Sequence, residues 1–137
     1  MEGKLLSAAI ASRAAYSSIK TLGMDKDLTE LGKQLWKRLD TYYGNDPDAS
    51  CCDVQLLLEQ LVRAHPAHQD KFEALVNNLP SVSPPNIVAY CKDYKLQCLS
   101  LSVHAALDKA DDTKAAALMK EWLDIFENGL NAGASKV

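Results

Sequence analysis

One segment of the chain decides the fold of its carboxyl-terminal part: 84-PPNIVAYCKDYKLQCLSLSVHAALD-108. A double proline opens the segment, and proline is well suited to the first turn of a helix. The residues that follow place apolar side chains at alternating steps of four and three, which is typical of a helix that packs lengthwise against another helix. We call these positions the predicted seam: Ile87, Cys91, Tyr94, Cys98, Leu101 and Ala105.

A second helix with the same kind of spacing follows a short polar turn at 108–112, and it carries Ala115, Leu118, Trp122 and Ile125. Two helices joined by a short connection form an antiparallel hairpin. A hairpin has little partner surface of its own, so we expect association, although the seam is equally consistent with intramolecular core. The expected subunit contacts are Ile87, Tyr94, Leu101, Leu118, Trp122 and Ile125.

The preceding part of the chain has five short amphipathic patterns at helical spacing. Ser12 is a candidate cap for the second helix, Asp25 or Asp27 for the third, and Pro66 is placed to start the fifth. No stretch alternates with period two, so no sheet is expected. The sequence predicts an all-α protein with a compact five-helix globule at 1–80, an antiparallel two-helix hairpin at 81–130 and a flexible tail at 131–137.

Composition limits the possible functions. Of the 137 residues, 47% are apolar, which is enough for a real core, and the net charge is −3. This mild charge gives no long-range attraction to nucleic acid or to an anionic membrane. The start, Met1-Glu2-Gly3-Lys4, does not resemble a signal peptide, and no apolar run approaches the roughly 18 residues of a membrane span. We therefore expect a cytoplasmic protein with no membrane partner.

Motifs for catalysis or metal binding are hard to find. No glycine lies in a phosphate-loop pattern, and the cysteines and histidines lack zinc-site spacing. Cys51 and Cys52 fall at the predicted start of the fourth helix, where a thiol can be activated, but no orienting partner is evident. The four cysteines, Cys51, Cys52, Cys91 and Cys98, indicate free thiols in a reducing compartment. We predict no catalytic residue, metal or cofactor in this chain.

Five basic residues are candidates for contact with nucleic-acid phosphates. A solvated helix face is the simpler interpretation, because the chain is acidic overall and no aromatic platform for bases is apparent. The candidates are Lys33, Lys37 and Arg38 on the third predicted helix and Lys92 and Lys95 on the hairpin.

Four segments, taken in order, resemble the amino-terminal domain of DnaB-type replicative helicases. The opening 2-EGKLLSAAI-10 resembles the family's E-x-x-L-L-G-A-I, and 53-DVQLLLEQL-61 resembles its D-x-x-T-L-x-x-x-L helix. Next, 72-FEAL-75 and 78-NLP-80 are similar to its Y-L-x-x-L … x-x-P segment, and 83-SPPNIVAY-90 is similar to its S-A-A-N-I-x-x-Y start of the hairpin. The resemblance extends over about residues 2–128.

The chain also departs from the family pattern. The family tends to have arginines after the tyrosine, where this chain has Lys92, Lys95 and Gln97. The glycine before the Y-L segment is missing, and Ala67-His68-Gln69 lies nearby instead. Drift of this kind fits a divergent phage helicase.

The resemblance implies a collar domain of a hexameric helicase, in which hairpins pair, six domains form a collar that is often a trimer of dimers, and the collar receives the primase. The expected self-association is a dimer, or a trimer of dimers in the hexamer. It implies that ATP and Mg²⁺ belong to a motor domain that is not in this sequence. Weak contact with single-stranded DNA is a further possibility. Two alternatives remain open: the helicase-binding domain of a primase, and a stand-alone phage adaptor or inhibitor of the replication helicase.

Overall fold

A computed structural model describes residues 2–130, and in that range the chain is all-helical, with no strand. The all-α prediction is therefore confirmed, whereas the predicted tail at 131–137 lies outside the described residues. Three short 3₁₀ turns accompany the α-helices, at Met24–Asp27, Pro66–His68 and Pro84–Asn86. The α-helices are α1 (Gly3–Ala11), α2 (Arg13–Thr21), α3 (Glu30–Asn45), α4 (Val54–Ala64), α5 (Gln69–Asn77), α6 (Ile87–Asp108) and α7 (Asp112–Asn128).

Capping side chains set several helix starts. The Ser12 hydroxyl accepts from the Ala15 amide at 3.3 Å, so the predicted cap of α2 is confirmed. The predicted cap of α3 is wrong, because Asp25 and Asp27 lie in a 3₁₀ turn that follows the left-handed residue Gly23. Thr29 caps α3 instead, its hydroxyl accepting from the Gly32 amide at 3.2 Å.

The start of α4 also differs from the prediction. The Asp53 carboxylate accepts from the Gln55 amide at 3.0 Å and from the Leu56 amide at 3.3 Å, so the helix begins at Val54. Cys51 and Cys52 therefore precede the helix and do not occupy its first turn. The fifth predicted helix begins as a 3₁₀ turn at Pro66, and its α-helical part starts at Gln69.

The chain divides into two compact units, which we describe separately. The first unit comprises Glu2–Ile87 and holds α1 to α5, and the second comprises the described residues from Val88 onward. The sequence placed its division after residue 80, and that boundary stays a prediction.

The core of the first unit receives side chains from all five of its helices. An aromatic cluster joins two of them: the Tyr16 ring centroid on α2 lies 5.0 Å from that of Trp36 and 4.6 Å from that of Tyr43, both on α3. The Tyr43 hydroxyl donates to the Ala9 carbonyl at 2.6 Å, which ties α3 to α1. Fully buried apolar residues of this core include Leu5, Leu6, Ile19, Leu35, Leu39, Leu57, Leu61 and Phe72.

Arg13 fixes the connection between α3 and α4. Its guanidinium donates to the carbonyls of Tyr43 at 3.0 Å, Asp46 at 2.9 Å and Ala49 at 3.1 Å. The Cys52 amide then donates to the Ile10 carbonyl at 2.8 Å. These bonds satisfy backbone groups that a turn would otherwise leave unpaired. None of the helices between residues 2 and 130 has the length and apolar character needed to cross a bilayer.

Candidate functional site

The second unit contains α6 from Val88 onward together with α7, and we call these two helices the helix pair. The Lys92 ammonium, near the start of α6, donates to the Phe126 carbonyl near the end of α7 at 3.0 Å. At the other end, the Asp111 amide donates to the Ala106 carbonyl at 2.9 Å, and Ala110 adopts a left-handed φ of 56°. The first bond links the beginning of α6 to the end of α7, and the second closes the turn between the two helices.

Burial along α6 shifts from one side of the helix to another. Cys91 and Tyr94 are buried in its first half, as the predicted seam requires. In the second half, Leu99 and Ala106 are buried. At about 100° per residue, they lie roughly a quarter of a turn around the helix from Cys91 and Tyr94. Leu101 and Ala105 of the predicted seam are exposed, because the chain buries a different side of α6 there, so packing of these two residues against another helix stays a prediction.

The predicted subunit contacts differ in how much surface they offer. Three are buried, two are half-buried, and Leu101 has 59% of its surface exposed. A buried side chain offers little surface to a second chain, so the interface prediction now depends on the exposed and half-buried members. The buried residues are Ile87, Tyr94 and Ile125, and the half-buried ones are Leu118 and Trp122.

Sequence reasoning missed an apolar row on α7. Met119, Leu123 and Phe126 are each about half exposed, and we call them the exposed stripe. The Trp122 ring stacks on that of Phe126, with centroids 5.1 Å apart and planes 9° from parallel. A signal for the stripe is present in the sequence, because these residues repeat at steps of four and three. Each of them directly follows one member of the predicted row Leu118, Trp122 and Ile125. The apolar face of α7 is thus wider than contact with one helix requires.

The surface of the helix pair has two grooves that share part of their lining. One has a volume of about 550 Å³ and the other about 480 Å³, and Ser100, His104 and Trp122 line both. Apolar side chains from both helices form most of the walls. The larger groove also contains Val103, Met119, Lys120 and Leu123, and the smaller one contains Asp93, Leu96, Gln97 and Leu101.

The basic candidates lie on two helices. On α3, the Lys33 ammonium lies 3.9 Å from the Glu30 carboxylate, Lys37 is exposed and Arg38 is half-buried. On α6, the Lys92 ammonium binds the Phe126 carbonyl and lies 5.7 Å from the Phe126 ring centroid. A phosphate at Lys92 would compete with that carbonyl. Contact of these residues and of Lys95 with nucleic acid stays a prediction.

The cysteines differ in burial. Burial raises the pKa of the Cys52 thiol and of the Cys91 thiol to about 11, so both are protonated at neutral pH, whereas the nucleophilic form is the thiolate. Cys51 is exposed. Within residues 2–130, no group of three or more histidine, cysteine, aspartate or glutamate side chains is placed to hold a metal ion.

Comparison with known families, curated proteins and solved structures finds no match to this chain. The resemblance to DnaB-type helicases therefore remains a prediction that depends on the four sequence segments described above.

Proposed function

We propose that this chain is the amino-terminal collar domain of a hexameric replicative DNA helicase, acting in the cytoplasm of a bacterial or phage-infected cell. In this proposal the first 80 residues form a compact five-helix globule, and residues 81–130 form an antiparallel hairpin that joins a second copy. The assembled collar recruits the primase during DNA replication. ATP and Mg²⁺ belong to the motor of such a helicase, so the role of this chain is assembly.

The exposed stripe is the observation that carries the proposal. Met119, Leu123 and Phe126 lie on one side of α7 with about half of their surfaces in solvent. Contiguous apolar patches of this kind are uncommon on monomers and mark interaction sites. Removing them from water stabilises a complex by about 25 cal/mol per Å² of apolar surface.

The same surface favours a second copy as the partner. In a two-fold contact, one patch meets itself, so it must supply both projecting side chains and the grooves that receive them. The stripe includes Phe126, whose ring stacks on Trp122, and Trp122 lines both grooves. Their linings also carry opposite charges, Asp93 in one and Lys120 in the other, which a two-fold contact can pair.

The test is the effect of Leu123→Asp on the solution mass of the full chain. Sedimentation over a wide concentration range should give a dimer or a larger ring for the wild type. A carboxylate in the centre of an apolar contact should raise the dissociation constant by about a hundredfold or more. Because Leu123 is half exposed, the helical circular dichroism should not change.

A matched control separates a specific contact from general surface stickiness. Leu56→Asp changes a similarly exposed leucine on α4 in the first unit, and it should leave association at the wild-type level. Association that responds equally to both substitutions contradicts the proposal, as does a wild-type chain that stays monomeric at every concentration. A monomer that binds a replicative helicase ring would instead support the primase-domain or phage-adaptor alternative.

A further inference from the structure

A cleft in the first unit has features that the association proposal does not use. It opens between α3 and the segment from the end of α4 to α5, and its volume is about 320 Å³. This volume is at the lower end of the range for small-molecule sites. The lining residues are Glu30, Leu31, Gln34, His65, His68, Lys71 and Phe72.

The inner part of the cleft is apolar and held in place. Phe72 is almost completely buried, and the His65 ring centroid lies 5.7 Å from the Phe72 ring centroid. His65 and Leu31 are both half-buried, so each presents one side to the cleft. Both side chains line the cleft, and the face of an imidazole is a surface on which a planar ring can stack.

The outer part carries cationic and polar groups. His65, His68 and Lys71 follow one another at steps of three through a helical turn, which places their side chains on one side. The His68 amide donates to the His65 carbonyl at 3.0 Å and fixes that turn. Among the described residues, no hydrogen bond or ion pair engages the His68 ring or the Lys71 ammonium. The Glu30 carboxylate, also in the lining, lies 3.9 Å from the Lys33 ammonium, which offsets its charge.

We propose that this cleft binds a nucleoside monophosphate. The base stacks on His65 and Leu31, and its edge meets the Gln34 amide, which can donate and accept at once, as adenine requires. The phosphate lies at Lys71 and His68, whose N–H groups give charge-assisted hydrogen bonds. The Glu30 carboxylate accepts from a sugar hydroxyl. This inference does not depend on the proposed helicase function, because the exposed stripe takes no part in it.

The nucleotide can come from two sources with the same chemistry. It is either free in solution or one unit of a single strand. Lys37 and Arg38 lie one turn beyond Gln34 along α3, where they can meet the next phosphate of a strand.

The first experiment is a titration of the isotopically labelled full chain with adenosine monophosphate, followed through the backbone amide resonances. The amides of Gln34, His68 and Lys71 should shift most. Adenosine alone and inorganic phosphate alone should each bind at least about tenfold more weakly, since each lacks one set of contacts. Lys71→Ala should weaken the nucleotide about tenfold, whereas Lys26→Ala, another exposed lysine of the first unit, should have no effect.

Several outcomes overturn the proposal. The first is that inorganic phosphate binds as tightly as the nucleotide. The second is that Lys71→Ala and Lys26→Ala weaken nucleotide binding equally. The third is that no amide resonance of the cleft shifts at millimolar nucleotide. A competition with single-stranded oligodeoxyadenylate then identifies the source. Displacement of the nucleotide by the strand supports a unit of single-stranded DNA, and failure of the strand to displace it supports the free nucleotide.

Discussion

The two units of this chain differ in how many of their large apolar side chains are exposed. In the first unit, leucines such as Leu5, Leu35 and Leu39 are completely buried, and the large apolar residues exposed in it are Val54 and Leu56. The second unit is shorter and exposes more of them: Val88, Leu101, Leu107, Met119, Leu123 and Phe126.

The number of helices in each unit explains the difference. Five helices can surround a common core, whereas two helices touch along one line and leave their other sides in solvent. An apolar residue outside that line gains nothing from folding of the pair alone. We therefore expect most of the folding stability to come from the first unit, and the association that we propose would involve the second.

The largest expected effect is the difference in stability between truncating a buried leucine of the first unit and a half-exposed leucine of the second. Leu39→Ala removes a fully buried side chain from the first unit and should lower the free energy of unfolding by about 2–5 kcal/mol. Leu123→Ala removes the same atoms from a half-exposed position of the helix pair, and we expect a loss below about 1 kcal/mol. Urea denaturation at low protein concentration, where association does not contribute, measures both.

Similar losses for the two leucines would show that the helix pair buries Leu123 as thoroughly as the core buries Leu39. The division of roles between the units would then be wrong. The Leu123→Asp association test would lose its physical basis as well.

Local signals in the sequence predicted much of the fold. Helical spacing predicted the all-α class, and Ser12 predicted a helix start, because both depend on neighbouring residues. The start of α3 depends on more than neighbouring residues. The Thr29 amide and hydroxyl donate to the carboxylate of Glu2, which is 27 residues away, and no local pattern contains that partner.

The candidate site shows the same limit. Spacing identified apolar repeats on α6 and α7, but a repeat does not determine which side another helix covers. The structure buries Leu99 and Ala106 where the spacing favoured Leu101 and Ala105. The exposed stripe could have been predicted, since two parallel apolar rows on α7 exceed what one partner helix covers.

The next prediction concerns the Glu2 carboxylate, which accepts two hydrogen bonds from Thr29 at the start of α3. A Cβ added at Gly32 would lie 2.6 Å from Glu2 Oε1, so Gly32→Ala requires the carboxylate to move, and we expect this movement to break its bonds to Thr29. Losing those bonds outweighs the better helix propensity of alanine, and we expect a net loss of about 1 kcal/mol in the free energy of unfolding.

Gly44→Ala is the matched control on the same helix. No atom lies within 4 Å of the added Cβ at Gly44, so only the propensity term remains and stability should rise by up to about 1 kcal/mol. If Gly32→Ala also raises stability, Glu2 does not contribute to the first unit as the geometry indicates.

The smallest expected effect concerns the bond between Lys92 and the end of α7. The Lys92 ammonium binds the Phe126 carbonyl in the last turn of α7, where a positive charge is favourable. Lys92→Met keeps most of the apolar side chain but removes the ammonium, and it should destabilise that turn by about 0.3–1 kcal/mol. Hydrogen exchange at the Gly129 amide, which donates to the Ile125 carbonyl, should accelerate about two- to fivefold, with no change in α1 to α5.

Lys109→Met, an exposed lysine at the opposite end of the helix pair, is the control and should leave exchange at Gly129 unchanged. Unchanged exchange in Lys92→Met as well would mean that the ammonium contributes nothing to α7. Lys92 would then be as available for a phosphate as the sequence suggested. Faster exchange in Lys92→Met alone means that binding a phosphate there must first break a bond that closes the helix pair, which makes Lys92 a weaker nucleic-acid candidate than the exposed Lys37 of the first unit.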